Sequence, residues 1–284
     1  MQDIAQLCRP RAKELLDRGL AFYESGDDDK AIADFTEAIR LDPRFGLSYC
    51  VRGEAYRAKG DWDRAIADLT EAIRLNPKNG LAYWSRGKSY HAKGDWDRAI
   101  ADLTEAIRLD PEYAEAYCDR GGAYAKKGEF DKAVGDCTEA IRLDPQLSEA
   151  YHYRAWAFGN KGDYDKAIAD YTKAVQLNPK DALAYHNRGL AYGYKGDYDK
   201  EIADYTNALR LNPEYAQAYS DRGVAYQYKR DYDRAIADYT QAIRLNAKDA
   251  RAYHNRGTAY RKKGDRAKAA ADFAQAERLR FKPR

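Results

Sequence analysis

The sequence predicts an all-α fold, a tandem array of antiparallel helix pairs. Three observations carry this. Residues 58–75, AKGDWDRAIADLTEAIRL, recur letter for letter at 92–109, an offset of 34. Applied along the chain, that offset gives eight in-phase repeats starting at Ala12, Gly46, Gly80, Ala114, Ser148, Ala182, Ala216 and Ala250. Each repeat also carries helix stop and start signals at the same places, and an internal period of this length is the mark of a stacked repeat architecture.

The first helix of a repeat is expected to run to its fourteenth residue. Its eighth residue is Gly in seven copies (Gly19, Gly53, Gly87, Gly121, Gly189, Gly223, Gly257) and Ala155 in the other. A small residue there lets a second helix come close, with the small residue at position 20 (Ala65, Ala99, Ala133) as its expected partner. Position 11 is always aromatic, as in Phe22, Tyr56, Tyr124 and Tyr260, and fills the space beside that approach. Gly at position 15 (Gly26, Gly60, Gly94) allows the left-handed residue that ends the helix. Asp at position 16 (Asp27, Asp61, Asp95) is placed to cap the second helix. Pro at position 32 (Pro43, Pro77, Pro111, Pro145, Pro179, Pro213) ends that helix before the next repeat.

These residues resemble the tetratricopeptide repeat family: an aromatic at position 4, Gly at 8, an aromatic at 11, Ala at 20, a bulky residue at 24, Ala at 27 and Pro at 32. The likeness covers nearly the whole chain. It implies a right-handed superhelical solenoid whose first helices line a concave groove, with positions 2, 5, 6, 9, 12 and 13 facing inward. Three departures stand out: Glu201 for Ala at position 20, Arg230 for Gly at 15, and Ala247 for Pro at 32. Repeats 6 and 7 are therefore expected to pack a little differently, with Arg230 able to shift its turn.

The domain reading is one array over 12–284, preceded by a segment, 1–11, expected to cover its first face with Ile4 and Leu7. Positions 21 and 28 of the second helix form an apolar stripe (Ile32 with Ile39, Ile66 with Ile73, Ile202 with Leu209) that should pack on the following repeat. In repeat 8 the stripe becomes Ala270 and Glu277, which reads as a C-terminal cap, the alternative being a cut through a longer array.

Composition narrows the function. The chain has 49 basic and 46 acidic residues, a net charge of +3, which argues against a nucleic-acid binder. No run of about 18 apolar residues is present to span a membrane, and Met1-Gln2-Asp3-Ile4 does not begin a signal peptide. Cys8, Cys50, Cys118 and Cys137 show no metal or redox spacing, so free thiols in a cytoplasmic protein are expected. His152, His186 and His254 share position 5 and His91 takes position 12; residues a full repeat apart are too distant to converge on one ion, so no metal and no cofactor are expected. No phosphate-cradling loop and no nucleophile with a partnered base appear, so no enzymatic activity is expected.

Arg fills position 7 and Asp position 23 in all eight repeats. Two opposite charges in every copy predict an ion-pair ladder between the helices rather than a polyanion-binding stripe. Specificity is then expected where repeats differ. By resemblance, repeats 1 to 4 offer mixed charges to the groove, including Lys88, Asp119 and Lys126 beside Trp84, while repeats 5 to 7 offer His152, Tyr153, Trp156, Asn160, His186, Asn187, Leu190, Tyr194, Val224, Gln227 and Tyr228. Aromatics beside hydrogen-bonding groups are the usual makeup of a binding surface. The carboxylate clamp of the family's co-chaperone members is absent, because position 5 reads Leu16, Cys50, Trp84, Cys118, His152, His186, Ser220, His254. The expected function is a protein-interaction scaffold, monomeric, holding a partner's peptide in the groove. The site residues are Trp84, His152, Tyr153, Trp156, Asn160, His186, Asn187, Tyr194 and Tyr228. The alternative is a structural or self-assembling array without a dedicated ligand.

Overall fold

The computed structural model describes residues 2–279, with side chains from Pro10 onward. Ile4 and Leu7, the expected cover of the first face, lie outside the described side chains, and residues 280–284 lie outside the description altogether. Sixteen helices account for the eight repeats among the described residues. The chain forms two compact units, 1–153 and 154–284, and the division falls within α9 (Ser148–Asn160). The first unit holds α1 (Gln2–Glu24), α2 (Asp28–Leu41), α3 (Gly46–Ala58), α4 (Trp62–Leu75), α5 (Gly80–Ala92), α6 (Trp96–Leu109), α7 (Ala114–Lys126) and α8 (Phe130–Leu143). The second holds α10 (Tyr164–Leu177), α11 (Ala182–Tyr194), α12 (Tyr198–Leu211), α13 (Ala216–Tyr228), α14 (Tyr232–Leu245), α15 (Ala250–Lys263) and α16 (Arg266–Arg278).

The turn between the two helices of a repeat follows the expected rule. Gly26, Gly60, Gly94, Gly128, Gly162, Gly196 and Gly264 have φ between 76° and 89°. Arg230 does not shift its turn. It adopts φ 61° itself, and its N–H donates to the Gln227 carbonyl at 3.0 Å as Gly60 does to Arg57. The next residue caps the second helix: the Asp61, Asp95 and Asp231 carboxylates accept from the N–H groups of Arg64, Arg98 and Arg234 at 3.1–3.2 Å. Loss of Pro at Ala247 leaves its turn in place too. The Asn246 carboxamide oxygen still accepts from the Lys248 N–H at 3.1 Å, as Asn76 does from Lys78.

Close approach at position 8 is against a different partner from the one expected. A Cβ added to Gly53 would meet Leu69 Cγ at 2.8 Å, and at Gly223 it would meet the Tyr239 ring at 2.8 Å. The residue pressing on the glycine is thus the bulky one at position 24. Position 20 contributes its backbone carbonyl, 3.3 Å away at Ala65 and Ala99. The small residue at 20 brings the backbones near, and the large residue at 24 then fills the hole that glycine leaves.

Successive repeats stack through the second-helix stripe. Ile73 is buried with Cys50, Leu69 and Ala72 of its own repeat and Ala82 of the next, and Ile107 likewise packs with Leu103 and Ala116. At α16 the corresponding Ala270 and Glu277 are exposed.

Candidate functional site

Charge at the helix interface is internally neutralised. In every repeat the Arg at position 7 forms a two-point pair with the Asp at 23 of its own repeat. The Arg120 Nε and Nη2 donate to the two Asp136 oxygens at 2.7 and 2.8 Å, and Arg18–Asp34, Arg52–Asp68, Arg86–Asp102, Arg154–Asp170, Arg188–Asp204, Arg222–Asp238 and Arg256–Asp272 have the same geometry. The remaining nitrogen reaches back one repeat: Arg52 Nη1 donates to the Thr36 hydroxyl and Arg86 Nη1 to Thr70, each at 3.0 Å. Aromatic rings complete the setting, with the Arg52 guanidinium 5.8 Å from the Tyr49 ring and 5.9 Å from Tyr56. A second ladder runs between repeats, where Lys59 pairs with Asp29 at 2.6 Å and Lys195, Lys229 and Lys263 pair with Asp165, Asp199 and Asp233. These arginines hold the scaffold and present no stripe of free positive charge.

The nine candidate residues separate into distinct settings. In the first unit, Trp84 Nε1 donates to Asp119 at 2.8 Å, and Lys88 Nζ sits 4.4 Å from the Trp84 ring centre. These three help line a cavity of about 150 Å³ with Glu115, Cys118, Leu147 and Glu149. Burial pushes the Asp119 carboxyl above the usual range, with Lys88 and the Trp84 hydrogen bond opposing it. Tyr153 lays its ring on Gly122, where a Cβ would come within 3.0 Å, and His152 meets that ring edge-on. Tyr153 therefore has a packing role.

In the second unit, His186 is enclosed, only 5% exposed. Its ring lies between Tyr205 and Tyr215, its Nε2 contacts Asp221 at 3.0 Å and its Nδ1 contacts Asn187 at 3.3 Å. It is enclosed by these neighbours rather than facing open space. Trp156, Asn160, Asn187 and Tyr194 come together around one open cavity of about 330 Å³. Tyr228 lines a separate cavity of about 320 Å³.

The cavity beside Trp156 has a clear local cause. Its floor is Tyr171, 3% exposed, with Leu190 and Ala191 beside it. Gly159 opens it, for a Cβ there would touch nothing nearer than the Ala167 methyl at 3.9 Å. Repeats 1 to 3 place Tyr23, Arg57 and His91 at that position. Tyr164 and Tyr194 make one wall, stacked at 4.8 Å with planes 8° apart, and the Asn160 amide is held by the Trp156 carbonyl at 2.9 Å. Sequence reading placed Trp156, Asn160, Asn187, Leu190 and Tyr194 in the groove and left out Gly159, Tyr164, Tyr171 and Ala191. Their signals are visible in hindsight: glycine at position 12 only in repeats 5 and 6, and an aromatic at position 17 from Trp62 through Tyr232. Among the described residues, no group of three or more His, Cys, Asp or Glu side chains converges as a metal site would need, and no helix is long and apolar enough to cross a membrane.

Stacked helix pairs with side-chain cavities at the junctions of consecutive repeats define a helical-repeat protein. The chain belongs to the tetratricopeptide repeat family: one family model, described as a TPR repeat, matches residues 53–94, 87–128, 157–196 and 228–264, and further tetratricopeptide repeat models match 12–45, 114–147, 137–169, 182–215 and 250–283. No curated protein sequence matches it. Among solved structures it is similar to a tetratricopeptide repeat protein from Parabacteroides merdae, at 20% identity over 88% of this chain and 99% of that one, with a TM-score of 0.67. It is also similar to MamA, at 32% identity over 58% of this chain and 96% of that one, TM-score 0.51. YrrB, described as a TPR protein with an unusual peptide-binding site, shares the fold at 23% identity over 65% of this chain and 95% of that one, TM-score 0.52.

Proposed function

We propose that the protein is an interaction scaffold, acting in the cytoplasm as a monomer and without catalysis, that takes a peptide segment of a partner protein at repeats 5 to 7. The observation that supports this reading most is the cavity shared by Trp156, Asn160, Asn187 and Tyr194. Rigid aromatic walls supply contact area at little entropic cost, and the two carboxamides can pair with a ligand's backbone. The cavity lining carries no Asp, Glu, Lys or Arg, so the segment it takes is uncharged or apolar there, and binding responds weakly to salt.

The test uses dodecapeptides selected from a random phage-displayed library on the intact protein. Trp156→Ala should weaken the selected peptides by about 2 kcal/mol or more, as loss of a central anchor does, with the helical circular dichroism unchanged. Binding that survives Trp156→Ala with Tyr194→Ala, yet disappears when Lys88 and Lys126 are neutralised, would place the site in repeats 3 and 4 instead. A library that yields no binders would favour the ligand-free structural array.

A further inference from the structure

The cavity beside Trp156 and the cavity beside Tyr228 are the same cavity built twice. In the first, position 9 is Trp156, position 12 Gly159, position 17 Tyr164 and position 24 Tyr171, closed by Asn187 and Tyr194 of the following repeat. In the second, the same positions are Val224, Gln227, Tyr232 and Tyr239, closed by Asn255 and Lys262. The volumes, about 330 and 320 Å³, agree. They are displaced by two repeats.

The interval between them is built on the same plan and then filled. Tyr198 and Tyr228 stack at 5.0 Å with planes 4° apart, repeating the Tyr164–Tyr194 wall. Gly193 stands where Gly159 opens the first cavity. Here, though, the Glu201 carboxyl group occupies the opening: a Cβ on Gly193 would lie 2.6 Å from Glu201 Oε1. Glu201 replaces the repeat's usual alanine, is 7% exposed, and accepts from the Tyr205 hydroxyl at 3.2 Å. The departure in sequence that marks repeat 6 is thus a plug in the middle member of a three-place series.

The second cavity also differs in charge. Lys262 takes the place of the wall residue Tyr194, flanked by Arg261 and Lys263 in the last turn of α15. Lys263 is paired with Asp233, and the Arg261 guanidinium rests 5.4 Å from the Phe273 ring, which leaves Lys262 as the cation aimed at the cavity. An apolar cleft with tyrosine and carboxamide groups and one lysine at its rim fits a large side chain with an acidic neighbour.

We propose that the two cavities are paired subsites for one extended peptide segment of a partner protein, which places an aromatic or large aliphatic side chain in each and an acidic residue against Lys262. Helices pack about 8–10 Å apart, so cavities two repeats apart are about 16–20 Å apart. Extended chain covers that in about five or six residues at roughly 3.3 Å each. The filled middle place accounts for a ligand that skips one repeat. This rests on the peptide-binding reading above and specifies its ligand.

The test compares random dodecapeptides selected on the wild-type protein and on four variants. Wild type should select two large apolar residues about five or six positions apart with an acidic residue beside one. Gly159→Phe, which fills the first cavity, and Gln227→Trp, a larger side chain at the equivalent position of the second, should each lower affinity for those peptides at least tenfold. Lys262→Glu, at an exposed position with no packing to lose, should do so only for peptides that keep the acidic residue. Glu201→Ala, which restores the usual alanine and empties the middle place, should admit a third apolar residue midway. Single-anchor peptides sensitive to Gly159→Phe but indifferent to Gln227→Trp and Lys262→Glu would overturn the pairing and leave the peptide site of repeats 5 to 7 standing. No selected peptide at all would overturn both. A concentration-dependent dimer that Gly159→Phe and Lys262→Glu dissolve would overturn the pairing by making a second copy of this chain the occupant.

Discussion

Arg230 holds a left-handed conformation where seven repeats use glycine, and its turn keeps the same hydrogen bonds regardless. For a residue with a Cβ that conformation costs about 1–2 kcal/mol, while glycine gives part of this back through the greater freedom of its unfolded chain. Arg230→Gly should therefore stabilise the protein by about 0.5–1 kcal/mol, read as a higher urea midpoint; a lower midpoint would show that the arginine side chain makes a contact worth more than the strain. Glu201 is the other residue that breaks its repeat's pattern at a cost. Burial raises its carboxyl from an ordinary 4.5 to about 7, the Tyr205 hydrogen bond opposing and Asp221 adding to the rise. The folded protein then holds this proton more tightly than the unfolded chain does. The stability associated with Glu201 is complete below about pH 4.5, is lost as pH climbs towards 7, and is level above that. Each unit of displacement is worth about 1.4 kcal/mol, and partial solvent screening reduces the sum to about 2 kcal/mol. Glu201→Gln should flatten the decline between pH 5 and 8 when urea unfolding is followed across that range. An identical pH profile for the two proteins would mean that Glu201 ionises freely in the folded state.

Between elements, the recurring Arg–Asp pair joins the two helices of a repeat, while in repeats 2 to 4 and 6 to 8 the third arginine nitrogen joins that repeat to a threonine of the one before. Coverage by the preceding repeat decides how dry the pair is. The Arg120 side chain is 16% exposed, whereas Arg18 in the first repeat is 61% exposed. Arg120→Ala strands the Asp136 charge in a half-buried interface and should cost about 2–3 kcal/mol, below the range for a fully buried pair because water still reaches it. Removing Asp136 as well should recover part of that loss, and Arg18→Ala should cost less than Arg120→Ala; equal losses at both positions would show that coverage by the neighbour does not matter. This ladder was legible in the sequence because the two charges are invariant and their spacing fixes them on facing helices. So were the turns, the caps and the stacking stripe, each set by local chemistry repeated eight times. The interior partner of the position-8 glycine was not, because two residues of suitable size, at 20 and 24, compete for that place and only the helix crossing decides between them. The candidate site was half legible for a related reason. Large residues such as Trp156 and Tyr194 announce themselves, but the cavity beside them exists because Gly159 contributes nothing. Likewise His186 and Tyr153 carry the side chains of a binding surface, yet their neighbours Tyr205, Tyr215 and Gly122 enclose or flatten them.

At the scale of the molecule, a repeat array is stable only where each face that cannot cover itself is covered by a neighbour. Seven second helices place Ile, Val or Leu at the two stripe positions, and the eighth places Ala270 and Glu277, both exposed. Ile236, one repeat earlier, instead packs against Tyr239 and against Ala259 of the following repeat. The contrast assigns α16 a face that water can meet without penalty: a methyl group and a carboxylate in place of two branched hydrocarbons. Ala270→Ile with Glu277→Ile would rebuild the stripe and add two large apolar side chains to a surface shaped to receive another helix pair. An exposed apolar patch of that kind drives association, so the double variant should show concentration-dependent self-association by analytical ultracentrifugation at protein concentrations where the parent does not. The two single variants should fall between them, Glu277→Ile having the larger effect because it removes a charge as well as adding surface. If the double variant sediments as the parent does at every concentration, the polarity of α16 is not what limits stacking on this face.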